Sequence, residues 1–181
     1  STPRGLLKVI EANRGVYEIL SKFPMKVYFD IDCKRSTEEE QTSEYAAKVY
    51  EKCQSDILEL FPNADMAISG SVTPEKISYH IVLDNYVMYN DADRDKIKAV
   101  VKCMSEENEH FDRGVYTNNR CMKCINQSKR NQNDRVQKII TNDDFRKHMI
   151  SCYINPNTLE MPSFPEKVQD VILVHESKKP F

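Results

Sequence analysis

The sequence predicts an α+β domain, and three observations point there. Segments of period two are interleaved loosely with segments of period 3.6, not in the strict strand–helix repetition of a doubly wound sheet. Of the 181 residues, 40% are apolar and 30% charged, so burial can offset chain entropy in one domain or in two small lobes sharing a core. No apolar run approaches the roughly 18 to 20 residues of a membrane span, and the opening residues carry no signal-peptide pattern. A folded, soluble protein with no membrane partner is expected, and Ser1 in place of Met suggests a processed or engineered terminus.

Residues 25–32 (MKVYFDID) form the first clear strand, with Val27, Phe29 and Ile31 alternating against Lys26, Tyr28, Asp30 and Asp32. The period then lengthens. Over residues 38–61, Ala46, Val49, Tyr50, Cys53, Ile57 and Leu60 step by three and four, and acids crowd the first turn, where a helix dipole favours them. Pro62-Asn63 stops that helix. Residues 66–71 make a short strand and Thr73-Pro74-Glu75 a turn. Residues 77–83 (ISYHIVL) make a second clear strand, with Ile77, Tyr79 and Ile81 on one face and Ser78 and His80 on the other. A second helix over 91–104 turns Ile97, Val100, Val101 and Met104 inward. Residues 106–119 are irregular, 121–126 a strand, 126–136 a polar stretch and 143–152 a third helix. The proline-bearing segment 156–181 is expected to be an extended tail whose apolar run, 168–174, adds one strand. The chain thus divides into a core, 1–155, and a tail, 156–181.

Scarce glycine narrows the chemistry. Gly5, Gly15, Gly70 and Gly114 are too widely separated for a Walker loop or a GxGxxG turn. Phosphates would have to be met by Lys and Arg side chains or by metal ions. Six irregularly spaced cysteines without a secretory signal point to free thiols in a reducing, intracellular compartment. Cys121-Met-Lys-Cys124 has no second pair to complete a four-ligand zinc site, so it is read as two thiols on one short strand. The formal charge of −2 argues against a general polyanion-binding surface. Its distribution is uneven, however: Arg113, Arg120, Lys123, Lys129, Arg130, Arg135 and Lys138 face a single acid, Asp134, whereas 38–65 is acidic.

Three clusters can carry chemistry. Asp30 and Asp32 share one face of a strand, their Cα atoms roughly 6.5 to 7 Å apart. Two such carboxylates repel unless a cation compensates, and they are the hard oxygen ligands that Mg²⁺ and Mn²⁺ select. The plainer alternative is a strand end running into solvent. Ser78 and His80 repeat the geometry, with Lys76 extending the line. Side chains at i and i+2 lie parallel and do not aim at one another, so joint contact with one anionic ligand fits better than a nucleophilic triad. The plainer alternative there is a structural histidine. The third cluster is Asp112 after an aromatic residue, a glycine turn at Gly114, and then the spaced cations Arg120, Lys123 and Lys129, with Arg130 beside them. One carboxylate followed by cations suits a metal ion with a polyphosphate; Lys129 and Arg130 are otherwise solvated loop charges.

Taken in order, these clusters resemble the motifs of the archaeo-eukaryotic primase superfamily, in particular its primase-polymerase branch, which includes primases of large DNA viruses. The acid-x-acid strand is Tyr28-Phe29-Asp30-Ile31-Asp32, the Ser-x-His strand is Lys76-Ile77-Ser78-Tyr79-His80, and the third motif is Asp112 continuing as Arg-Gly-Val-Tyr-Thr-Asn-Asn-Arg120, with Ser128-Lys129 downstream. The resemblance spans about residues 17–152. Two positions depart from it: Asp32 stands where Glu is frequent, and Lys123 where Arg is frequent.

The resemblance implies an RRM-like antiparallel sheet with flanking helices and a small α/β lobe beside it. It implies that Asp30, Asp32 and Asp112 hold two divalent ions, Mg²⁺ or Mn²⁺. It implies that Lys76, Ser78, His80, Arg120 and Lys129 contact the phosphates of nucleoside triphosphates, and that Lys123 and Arg130 lie with the basic stretch that meets a DNA template and primer. The expected reaction is template-directed phosphodiester formation in DNA replication, in host cytoplasm or nucleus if the source is viral. The chain is then expected to be a piece of a longer replication protein working with a replicative helicase. Two rival readings use the same residues: a two-metal nuclease, and a non-catalytic RRM-like nucleic-acid-binding module whose acids are structural.

Overall fold

The two clearest period-two segments pair with each other. In the computed structural model, which describes residues 2–12, 15–129, 131, 135–178 and 180, strand β2 (Met25–Lys34) runs antiparallel to β4 (Lys76–Met88). β4 takes β3 (Met66–Val72) on its other edge, and β3 takes β6 (Lys138–Thr141), giving the order β2-β4-β3-β6. A separate antiparallel pair joins β1 (Tyr17–Leu20) to β5 (Arg120–Lys123). The protein is therefore α+β, with antiparallel sheets and helices.

One face of the large sheet is the core. Phe29 faces Ile81 across the β2–β4 ladder and Ile31 faces Tyr79, all of them buried. Helix α2 (Ser43–Leu60) covers this face with Val49, Cys53 and Ile57, and its Tyr50 ring meets Tyr79 edge-on at 5.4 Å. The Thr42 hydroxyl caps α2 by accepting from the Tyr45 N–H, so Glu38, Glu39 and Glu40 lie in a turn ahead of the helix. Arg35 holds that turn by donating to the carbonyls of Glu40, Thr42 and Thr73. Helix α3 (Asp91–Glu107) buries Ile97, Val100, Val101 and Met104, as its periodicity predicts, and extends a turn further.

The other face of β2 differs from the alternation pattern. Tyr28, expected among the outward polar residues, is only 2% exposed. Its ring stacks on Tyr116 at 5.0 Å, its hydroxyl donates to the Val115 carbonyl, and the Tyr116 hydroxyl donates to the Tyr28 carbonyl. Lys26 is fully buried, its ammonium on Asp84 and the Arg146 carbonyl, both at 2.8 Å. The face is covered at Lys26 and Tyr28 and opens only at Asp30.

Two further expectations are corrected. The run 168–174 is not a strand in an extended tail but part of helix α5 (Glu166–Ser177). Phe164, Val168, Val171 and Ile172 step by three and four, so a helix can put them on one side, and they pack into the main core, Phe164 on the Phe61 ring. The third expected helix shrinks to α4 (Phe145–His148). The backbone of Ile150 and Ser151 is drawn away from helical pairing by the Glu18 carboxylate, which accepts from both N–H groups, and the Ile150 carbonyl accepts from the Lys26 N–H. Helix α1 (Pro3–Ala12), β5 and α4 surround a second small core of Ile10, Cys124 and Met149. Among the described residues no helix is long and apolar enough to cross a membrane.

Candidate functional site

Ladder register builds the site. Asp30 lies directly opposite His80, and Asp32 opposite Ser78. Directly opposed residues share a face, with Cβ atoms about 4.5 to 5.5 Å apart. On the far edge of β4, Ser69 faces His80 and Ser71 faces Ser78. On the free edge of β2, Phe111 bridges Ile31, the Asp32 N–H donates to the His110 carbonyl at 2.8 Å, and the Asp112 N–H donates to the Asp30 carbonyl at 2.9 Å. Residues 110–112 thus act as one more short antiparallel segment, with Phe111 turned into the core against Phe29. The result is a row of Asp112, Asp30, His80 and Ser69, and a second row of Asp32, Ser78 and Ser71.

The β1–β5 pair roofs this floor. A cavity of about 140 Å³ between them is lined from below by Asp30, Asp32, Asp112, Ser71, Lys76, Ser78 and His80. From above and the side come Tyr17, Arg120, Cys121, Met122, Lys123, Lys129 and Arg135. Every site residue expected from the sequence is brought here except Arg130, which lies outside the described residues. Lys123, expected with the nucleic-acid stretch, lines the cavity itself. Tyr17, Ser71, Cys121, Met122 and Arg135 were not anticipated as lining. Ser69-Gly-Ser71 carries the same i, i+2 signature as Asp30 and Asp32 and was legible in that form; Tyr17 and Cys121 come from the second sheet, whose placement no periodicity discloses.

The charges are far from balanced locally. The Asp30 carboxyl is 18% exposed, and burial, then Asp112, then Asp32, push it up to about 7. Burial, then Lys123 and Lys129, push the His80 ring down to about 3, so it is neutral at physiological pH. Its Nε2 lies 3.5 Å from Asp30 Oδ1, which is a polar contact and not an ion pair. Lys76 Nζ sits 2.9 Å from Asp32 Oδ1, and Asp112 Oδ1 accepts from the Gly114 N–H at 2.7 Å. The Lys123 ammonium is held below its usual range by burial and by Lys129. Arg120 Nε is buried with no hydrogen-bond partner.

Among the described residues no three His, Cys, Asp or Glu side chains are grouped tightly enough to chelate an ion as they stand. Asp32 is engaged by Lys76, and Asp112 by the turn at Gly114. The donor chemistry nevertheless suits a hard divalent ion. Three carboxylates line one cavity, and Asp30 is kept from ionising fully by burial first and then by the other two, a repulsion that a cation relieves.

No known protein-family model matches the chain, and no curated protein matches it in sequence.

Proposed function

We propose that this chain is the catalytic domain of a primase-polymerase, a nucleotidyltransferase that joins nucleoside triphosphates along a DNA template. The observation that carries the proposal is the shared row of Asp112, Asp30 and His80 across three adjacent chain segments, facing a wall of Arg and Lys. The order of those residues along the chain is the order of the primase-polymerase motifs. On this reading the four-stranded sheet is an RRM-like core and the β1–β5 unit is the small lobe.

Asp30, Asp32 and Asp112 would hold two Mg²⁺ or Mn²⁺ ions. When bound, such ions supply activation of a 3′-hydroxyl and neutralisation of phosphate charge. The protein's own groups do the positioning. Lys76 exchanges its Asp32 partner for a phosphate oxygen. Arg120 offers a buried N–H that lacks an acceptor. His80 is neutral and meets the ligand as a hydrogen-bond partner, not as a charge. Ser78 lies beside it, and Lys129 closes the cavity at its exposed side. No protein nucleophile is required, because charge neutralisation and positioning carry phosphoryl transfer. A DNA template and primer, and a replicative helicase in the same pathway, are the partners this reading requires.

The test is incubation with Mn²⁺, a primed template and labelled nucleoside triphosphates. Extension is expected, with loss to background in Asp112→Ala and Asp30→Asn. Shortening of the primer would support the two-metal nuclease in its place. Unchanged nucleic-acid binding in Asp30→Ala, with neither extension nor ion binding in the unsubstituted protein, would support the binding module. That module ordinarily stacks bases on exposed sheet aromatics, and Tyr28 is buried beneath Tyr116.

A further inference from the structure

Away from the cavity, a groove of about 550 Å³ lies between helices α3 and α5, with Arg113 and Gly114 in its wall. Its lining residues step by three and four along each helix, so α3 and α5 each offer it one face. The floor is apolar. Ala99 is buried and Val171 half-buried, but Val174 is 53% exposed, and Leu173 beside it 61%. An apolar strip left open between two packed helices is a seat for the ridge of a third. Four cations rim it: Lys98 and Lys102, one turn apart on α3, then Arg113, and Lys178 just past α5. All four are exposed, and among the described residues none of them makes an ion pair. Apolar floor and cationic rim together complement an occupant with an apolar stripe and acidic flanks. Two observations favour a peptide over a nucleic acid. Asp95 and Asp170 belong to the same lining. A nucleic-acid strand is charged at every step and cannot avoid them, whereas a peptide can set a neutral or basic side chain there. No aromatic side chain of the described residues lines the groove, so bases have nothing to stack on.

We propose that the α3–α5 groove docks an acidic amphipathic helix of a partner protein. Branched apolar side chains of that helix lie against Val171 and Val174, and its carboxylates meet Lys98, Lys102, Arg113 and Lys178. The inference goes beyond the polymerase reading and does not depend on it. It gives the chain a protein-binding face outside the cavity, reached through the turn that follows Asp112.

The experiment is fluorescence anisotropy with the full chain and a labelled peptide of about 15 residues, long enough to form a helix. Its leucines step by three and four, with glutamates on their flanks. Saturable binding is expected. A peptide of the same composition in scrambled order cannot gather its leucines on one face, and should bind at least about tenfold more weakly. Lys98→Glu combined with Lys102→Glu should weaken binding of the ordered peptide about tenfold, and so should Val174→Asp alone. These three side chains are exposed, and thermal melts check that the variants fold. The scrambled peptide keeps the test decisive even where a variant does not. Absence of binding, equal binding of the two peptides, or binding that neither set of substitutions weakens overturns the proposal. Binding of a single-stranded oligonucleotide that the double variant loses, with no peptide binding, makes the groove a nucleic-acid surface instead. Self-association by light scattering that Val174→Asp abolishes, with no peptide binding, makes the occupant a second copy of this chain. Primer extension with Mn²⁺ is run in parallel. Peptide binding without extension leaves the docking site standing and removes the polymerase reading; extension without peptide binding does the reverse.

Discussion

At Asp30 a carboxyl group sits between two others and beneath a roof, and burial with that crowding pushes it up to about 7 from 3.8. Below about 7 the metal-free side chain keeps its proton, so a divalent ion must displace it. Apparent Mn²⁺ affinity should therefore fall about tenfold per pH unit below that point and level off above it. Calorimetry in buffers of different ionisation enthalpy should register proton release on Mn²⁺ binding at about pH 6 and little at about pH 8. The linkage to stability has a definite sign. The folded protein holds a proton between 3.8 and about 7 that the unfolded chain has lost, so this group's contribution is full below 3.8 and fades as pH rises through 7. Asp30→Asn should remove both the proton release and that slope. Lys26 tests a different kind of charge. It is buried against Asp84, and Lys26→Met strands that carboxylate, at a cost of about 3 to 5 kcal/mol in urea unfolding. Replacing both partners with apolar residues should cost less than either single change.

Elements convert these residues into a site, and β3 shows how little tolerance they have. Gly70 sits opposite Tyr79, and a Cβ added there would meet the Tyr79 ring at 2.6 Å and Ile140 Cδ1 at 2.8 Å. Gly70→Ala should lower stability by about 1 to 3 kcal/mol, as overpacking does, and should also disturb its neighbour Ser71 on the cavity floor. Thermal melts and primer extension with Mn²⁺ measure the two effects separately. The strands that form this floor were legible from sequence because alternation exposes which side chains share a face: Asp30 with Asp32, and Ser78 with His80. Helices α2 and α3 were legible for the same reason at period 3.6. What alternation cannot disclose is a second segment lying on the polar face. Lys26 and Tyr28 follow the outward pattern and are nonetheless covered, Lys26 by the Arg146 carbonyl and Tyr28 by the Val115 carbonyl and the Tyr116 side chain. The pairing of 110–112 with β2 was hidden too, since one bridge and two backbone hydrogen bonds leave no periodic trace. Helix α5 was misjudged because a short apolar run fits a strand or a buried helix until Val168, Val171 and Ile172 are set against Phe164.

The whole molecule joins two sheets across one cavity, and Glu18 is central to that junction. It lies on β1, buried, with its carboxylate accepting from the Ile150 and Ser151 N–H groups and the Ser151 hydroxyl. The Ile150 carbonyl in turn accepts from Lys26 on β2. One acid therefore couples the roof to the floor through a two-residue strap. Burial raises the pKa of Glu18 against the opposing pull of those donors. Glu18→Ala leaves the buried Ile150 N–H without an acceptor, a loss of about 1 to 3 kcal/mol, and frees the half-buried Ser151 N–H at a smaller cost. The damage should be unequal across the molecule. The β2–β4 ladder has its own core with α2, so its amides should remain protected from hydrogen exchange. Amides of β1 and β5 should exchange faster, because local opening follows local contact density. Primer extension should fall with them, since Arg120 and Lys123 ride on β5, whereas the three carboxylates keep their places. A uniform rise in exchange across both sheets would mean that roof and floor open together, and that Glu18 supports the entire fold instead of the joint between its two halves.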